Sequence, residues 1–474
     1  MRLAPRHAAR LAFLALPTML AALPVPAAAA KKPAPRPAAV AVHAPTASQL
    51  TPQMLPVQRV VLDNGLTVLL HEDHTVPTVA FWQWYRVGSR DERPGITGIS
   101  HFFEHMMFNG SKHVPPKMYD QILESNGGYS NAFTSNDMTA YYEELAADRL
   151  GVVLRLDSDR MAALSLLPEQ LKSEIEVVKE ERRLRVDNDI QGMLGEQLYA
   201  TAYNASPYHW PVIGWVKDLD RITREDMVEY FRIHYAPDNC ILVLTGDFNS
   251  KTALDSIRFY FGSIPRQPAP PAPVNSEPEQ RGERRVEVHY PAQDVTFMMG
   301  YKAPSVRDSD QYVCDVLSVI LGSGESSRLH QVLVYQLQIA LGIGASFQTH
   351  MEPGLFEISA EMKPGKTAGE GIAAVDSVLH ALIDKGPSER ELQKARNLLE
   401  AGFIKGLKTN NGVGEQLGFF EHVYGDYHLM FQALNRYQGV TVNDCRRVAK
   451  QIFDPRSRTI AVLVPEKEGG EAAP

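Results

Sequence analysis

Five consecutive residues, His101-Phe102-Phe103-Glu104-His105, carry the side chains of this chain best suited to chemistry. Residues three and four apart on an α-helix share a face, so His101, Glu104 and His105 project to one side. Two imidazoles placed so can grip a divalent metal. A carboxylate beside them can work on water at that metal. The order His-x-x-Glu-His reverses the commoner His-Glu-x-x-His zinc motif. A helical His pair also occurs in packing or on a solvated face, so a third ligand has to decide the reading.

A catalytic zinc usually holds three protein ligands, and the third has to come from elsewhere in the chain. Residues 168–186 read as a helix dense in carboxylates: Glu169, Glu174, Glu176, Glu180 and Glu181. A charge run of this kind is ordinarily a solvated face. Glu174 and Glu181 stand seven residues apart, nearly two turns, and so share a face with Val177 and Val178 between them.

The elements that must position these groups follow from the rest of the sequence. A chain of 474 residues, 44% hydrophobic and 22% charged, has the composition of a packed globular protein of more than one domain. The net charge of -8 leaves no basic footprint for nucleic acid. Arg2, Arg6 and Arg10, an apolar run over residues 11–23 and Ala28-Ala29-Ala30 have the pattern of a secretory signal peptide over residues 1–30. The run is short for a membrane span and Pro17 interrupts it. Export without a stable membrane anchor is expected, with a bacterial periplasm as destination. Three cysteines, Cys240, Cys314 and Cys445, make no disulfide framework and read as core thiols.

Residues 31–56 are rich in Pro and Ala and read as a linker. Asn64-Gly65 between two apolar runs predicts a hairpin. A second Pro-rich linker, 265–284, divides the rest into domains at 57–264 and 285–466, followed by a disordered tail at 467–474. The halves repeat one order of elements. A strand at 78–85 or 294–301 precedes a helix, and a helix at 224–234 or 441–453 precedes a closing strand. The expected class is α+β: two tandem homologous domains, each a mixed, mostly antiparallel sheet packed with helices. Only the first half carries the His-x-x-Glu-His motif. Gly322-Ser323-Gly324 lacks the rest of a dinucleotide fingerprint. His71 and His74, flanking Glu72 and Asp73, read as a polar turn rather than a second metal site.

The chain resembles the pitrilysin/insulinase family of zinc metallopeptidases, especially its short two-domain members and the mitochondrial processing peptidase. The likeness rests on the motif, on Asn64-Gly65-Leu66, and on residues 105–110, 127–134 and 322–329. In that family the third ligand is a Glu on a segment Glu-x-x-Val-(Val/Ile)-x-x-Glu. That segment matches residues 174–181 here, and its last Glu stands 76 residues past His105. The resemblance therefore implies one Zn2+ per chain held by His101, His105 and Glu181. Glu104 is implied as general base, and Glu174 as the carboxylate that orients a metal-bound His. It implies a pitrilysin-like half-clam, peptide substrates, and an edge strand at Asn131-Ala132-Phe133 to which a peptide adds.

One departure stands out. The family places an Arg and, seven residues on, a Tyr near the zinc to help hold the oxyanion. The matching positions here are Val334 and Leu341, whose side chains donate no hydrogen bond. A heterodimer with a related chain carrying the pair is the expectation, with a homodimer as the fallback. The competing readings are a non-catalytic scaffold subunit of the same family and a metal-binding protein without hydrolytic activity.

Overall fold

A computed structural model describes residues 50–267, 270 and 277–466. The signal peptide expected at 1–30, most of the linker expected at 31–56, part of the linker at 265–284 and the tail at 467–474 lie outside the described residues.

The first half forms a six-stranded sheet in the order β1-β2-β6-β3-β5-β4. Its strands are β1 (Gln58–Val61), β2 (Thr67–Glu72), β3 (Thr78–Tyr85), β4 (Tyr129–Thr134), β5 (Thr139–Ala146) and β6 (Cys240–Gly246). The β1–β2 hairpin turns at Asn64-Gly65, where Gly65 takes φ +89°, a conformation only glycine enters freely. All pairings are antiparallel except β2 with β6.

The second half repeats the design in five strands, β7-β11-β8-β10-β9. These are β7 (Arg284–Pro291), β8 (Thr296–Lys302), β9 (Ala340–Phe347), β10 (Leu355–Met362) and β11 (Arg458–Glu466). One parallel pair, β7 with β11, is again followed by antiparallel neighbours. Strand for strand, β7-β11-β8-β10-β9 matches β2-β6-β3-β5-β4, which is the α+β duplication expected from the sequence.

The helices that matter for the site are α1 (Ile99–Met106), α2 (Pro168–Arg182), α3 (Ile190–Ala202), α4 (Arg224–His234), α5 (Gln311–Gly322), α6 (Asn410–Tyr424) and α7 (Val442–Ile452). Alternation along β3 sorts its side chains. Val79, Phe81 and Tyr85 enter one core with Phe102 and Phe103 of α1. Trp82 and Trp84 point to the other face.

The halves are not closed separately. The outer face of the first sheet is covered by α6 from the second half. A Cβ on Gly414 would come within 2.6 Å of Trp82, and one on Gly418 within 2.0 Å of Trp84, so the two glycines form the groove that admits the indoles. The second sheet is covered in return by α3 from the first half. Leu194 and Leu198 pack there with Leu355, Ala461 and Leu463. Each half, 57–264 and 285–466, thus lends one helix to the sheet of the other. The Pro-rich linker marks a covalent joint, whereas the packing depends on residues far apart in the chain. Cys240, Cys314 and Cys445 are all buried and unpaired.

Candidate metal centre

Gly95 and Gly98, at φ +98° and +90°, turn the chain into α1. A Cβ at Gly98 would strike the Ile213 carbonyl oxygen at 2.6 Å, so the entry to the motif helix is built for glycine. The first turn of α1 is capped by Glu92, whose carboxylate accepts from the main-chain N–H of Gly98 (2.8 Å) and Ser100 (2.9 Å). The apolar side of α1 lies in the core. His101, Glu104 and His105 share its other side.

The helix α2 starts with Pro168 in its first turn and ends in a wider helical turn, Arg183–Asp187. The sequence predicts a single helix over 168–186. The last turn instead loosens just beyond Glu181. Arg182 holds this end in place. Its guanidinium donates to both oxygens of Glu196 on α3 (2.6 and 3.0 Å) and to the Gly214 carbonyl (2.9 Å).

These elements bring His101, His105 and Glu181 together. Their ligand atoms all lie within 4.8 Å of one another, the only such group of three among the described residues. Glu181 Oε2 stands 3.1 Å from His105 Nε2 and 3.8 Å from His101 Nε2. On the far side of the same ring, His105 Nδ1 donates to Glu174 Oε1 at 2.9 Å. Glu174 Oε2 accepts from Asn109 Nδ2 at 2.8 Å. Glu104 is buried, and Thr134 Oγ1 on β4 donates to its Oε2 at 2.7 Å.

Each group's protonation follows from its surroundings. Burial, with the charge of His105 adding to it, pushes the His101 pKa down to about 3, so this imidazole is neutral. Burial also opposes the charge on His105, but hydrogen bonds to Glu174 and Glu181 overcome it and lift its pKa to about 9. Burial opposes the Glu181 carboxylate, yet the His105 hydrogen bond and the neighbouring His101, His105 and Arg185 side chains hold it down at about 2. Burial raises the pKa of Glu104, and the Thr134 hydrogen bond works against that rise. One neutral imidazole, a second ring fixed through Nδ1, and an ionised carboxylate make a two-nitrogen, one-oxygen donor set of the kind zinc takes. The residues present fit the metal.

Among the described residues β4 is the last strand of the sheet, hydrogen-bonded only to β5, so the predicted substrate strand lies at the sheet's edge. Ala132 is buried, and its N–H donates to Asn131 Oδ1 at 2.9 Å. Phe133 turns away from α1. Its ring meets Trp82 and Trp84 edge-on at 6.4 and 5.7 Å between centroids. The side chain that reaches the motif is Thr134, next in the chain. Thr134 and Asn109 both lie inside motifs quoted for the family likeness. Asn109, four residues past His105, was detectable from helical spacing. Glu92 and Arg182 carried no sequence signal, because their partners are main-chain groups or lie on other elements.

Outside the site, His71 Nδ1 bonds the Pro56 carbonyl at 2.8 Å, and His74 lies between Glu72 and Asp247. Arg328 pairs with Glu391, a contact within the second half. Val334 is half-buried in a helical stretch, His330–Gln336, and Leu341 is 48% exposed on β9.

Residues 67–214, which contain the motif, match the family described as Insulinase (Peptidase family M16). Residues 221–399 match the Peptidase M16 inactive domain. A relative in Helicobacter pylori, "Zinc protease PqqE", is 31% identical over 86% of this chain and 93% of its own length. The chain belongs to the M16 insulinase family of peptidases. An uncharacterized zinc protease of Mycobacterium leprae is 27% identical over 86% of this chain and 92% of that protein. The crystal structure of a protease from Helicobacter pylori superposes with a TM-score of 0.84 and 30% identity, covering 87% of this chain and all of that one. The periplasmic protease PqqL from Escherichia coli shares the fold, with a TM-score of 0.71 at 19% identity over 86% of this chain and 48% of that one. The inactive-domain match falls mostly on the half without a His-x-x-Glu-His motif. The M16 membership and two-domain α+β fold expected from the motifs therefore hold.

Proposed function

We propose that this chain is an exported zinc-dependent endopeptidase that hydrolyses peptides, with His101, His105 and Glu181 as metal ligands and Glu104 as general base. The observation that carries the reading is the convergence of those three ligand side chains, with Glu181 76 residues past His105, beside a buried carboxylate on the same helix face as the two imidazoles. When bound, zinc would supply a Lewis acid that lowers the pKa of water toward about 7 and polarises the scissile carbonyl.

The chain's own groups do the rest. Glu104 takes the proton from the attacking water at a carboxylate oxygen and passes it to the leaving amine. Thr134 fixes the rotamer of Glu104 and favours its ionised form. Glu174 holds His105 by Nδ1, which leaves Nε2 as the atom that would hold the metal. The open edge of β4 takes an extended peptide through main-chain hydrogen bonds, which suits varied sequences.

Val334 and Leu341 supply no side-chain donors to the oxyanion. A related chain carrying the Arg/Tyr pair supplies them in a heterodimer under this reading, and a homodimer is the alternative assembly. Full activity of the isolated chain would sink the heterodimer. Export to a periplasm rests on the leader-like residues 1–30, and no helix among the described residues is long and apolar enough to cross a membrane.

The missing pair also favours a second reading, a non-catalytic core subunit of the family. Zinc content, combined with cleavage of a quenched peptide with and without chelator, separates the two. The decisive variant is Glu104→Gln: turnover is lost and zinc is kept. Wild-type turnover in that variant would remove Glu104 from the chemistry.

A further inference from the structure

We propose that Asp137 is a positioning residue through which the second half of the chain sets the placement of Glu104; the proposal rests on the peptidase reading above. Asp137 sits in the turn between β4 and β5 and is 3% exposed. Its carboxylate gathers groups from both halves. Oδ1 accepts from the Tyr208 hydroxyl at 2.7 Å and faces Arg90 at 3.3 Å, both in the first half. Oδ2 accepts from the Met351 N–H at 3.0 Å and faces His350 Nδ1 at 3.4 Å, both between β9 and β10 of the second half. The Asp137 carbonyl oxygen accepts from His422 Nε2 on α6 at 3.1 Å. The Tyr208 hydroxyl in turn accepts from the Glu352 N–H at 3.0 Å, closing the ring of bonds.

The short path from this hub to the reacting group gives it a role beyond sealing an interface. Thr134, three residues before Asp137, holds Glu104. The turn between them is stiff: Ser135 Oγ accepts from the N–H groups of Asp137 and Met138, both at 3.2 Å, and Ser135 N–H bonds the Met138 carbonyl at 2.8 Å. β4 is an edge strand with one neighbour, so its end is located by this turn rather than by a second strand. A buried carboxylate with several donors resists displacement, because each lost bond leaves a desolvated polar group. The second half contributes none of the four residues at the metal centre. Through Asp137 it holds the strand that orients the base, so a change in how the halves meet is read at Glu104.

The test uses the full chain and four variants: Asp137→Ala, Asp137→Asn, His350→Gln, and Arg328→Met as a control for general destabilisation. Zinc affinity, kcat and KM on a quenched peptide, melting temperature, and hydrogen exchange of residues 129–146 in zinc-free protein are measured. With Asp137→Ala, kcat should fall by about 30-fold or more, while KM and zinc affinity stay within about threefold. Asp137→Asn keeps one acceptor oxygen and should fall between the parent and the alanine variant. His350→Gln, altered only in the second half, should lower kcat by about tenfold. Exchange over residues 129–138 should quicken by about tenfold in both alanine and glutamine variants. Arg328→Met should lower the melting temperature and leave kcat and that exchange unchanged. If Asp137→Ala and His350→Gln keep kcat within about twofold, or Arg328→Met loses as much kcat for the same loss of stability, the proposal is overturned. If Glu104→Gln proves as active as the parent, the peptidase reading fails and the catalytic role of Asp137 fails with it. That outcome is told apart by the exchange data, which depend on neither zinc nor turnover.

Discussion

Glu174 and Glu181 act on one imidazole from opposite sides: Glu174 Oε1 lies 2.9 Å from His105 Nδ1, and Glu181 Oε2 lies 3.1 Å from His105 Nε2. Two carboxylates seven positions apart on one helix thus supply both the proposed ligand and the group proposed to orient its neighbour. The helix end is locked by Arg182, so the two carboxylates move together or not at all. Glu174→Gln keeps the shape and replaces a charged acceptor with a neutral one. Zinc affinity should fall by about 10- to 100-fold, the usual cost of losing a partner to a metal-bound His, with little change in melting temperature of the zinc-free protein. Competition with a chromogenic chelator measures this. Unchanged affinity would remove Glu174 from the metal site.

Thr134→Val removes a hydroxyl and little volume. Glu104 then loses its 2.7 Å donor inside a buried site. The carboxylate becomes harder to ionise and freer to rotate, so kcat should fall by about 10- to 100-fold with zinc retained. Thr134→Ser, which keeps the donor, should recover most of the rate. Equal rates for serine and valine variants would show that the hydroxyl is idle.

The site was half legible in the sequence, for a physical reason. His101, Glu104 and His105 are linked by helical periodicity, which operates over one turn and can be read from spacing alone. Glu181 is not, because the turn that brings α2 against α1 leaves no period; only the family likeness selected it over Glu180. Strand alternation predicted β3, Asn64-Gly65 predicted the hairpin, and the duplicated element order predicted two sheets. The exchange of α3 and α6 between halves was invisible, since Gly414 and Gly418 meet Trp82 and Trp84 over more than three hundred residues. The Asp137 hub was hidden likewise, because two of its donors are a main-chain N–H and a tyrosine hydroxyl on separate turns. Phe133 is expected on an edge strand, and it lies on β4, the last strand of the first sheet among the described residues. Its side chain serves the Trp82–Trp84 face instead, since alternate residues of β4 point opposite ways.

The helix exchange carries its own prediction. A Cβ at Gly418 would overlap Trp84 Nε1 at 2.0 Å, and Trp84 is buried, so the indole or α6 has to shift. Gly418→Ala should destabilise the protein by about 1–3 kcal/mol, although alanine is the better helix former, because overpacking outweighs propensity here. Chemical denaturation should still show one transition, because each sheet needs a helix of the other half. Two separate transitions in the parent chain would mean that the halves fold independently.

Asp315 on α5 offers a pH test remote from the metal centre. It is half-buried in the second half, and its carboxylate accepts from the Tyr437 hydroxyl at 2.8 Å. Burial lifts its pKa from 3.8 to about 7, partly offset by that hydrogen bond. A folded-state pKa above the unfolded one means that the group's favourable contribution is complete below pH 3.8 and is lost as pH rises through 7. At pH 8 the folded protein holds a carboxylate it would rather protonate. Asp315→Asn keeps an acceptor for Tyr437 and never ionises. Its stability relative to the parent should therefore rise between pH 4 and pH 8, by up to about 4 kcal/mol on the linkage relation. Urea denaturation at the two pH values measures the difference. A variant that gains nothing on going from acid to pH 8 would show that Asp315 is ionised at little cost, with water reaching it beside Tyr437.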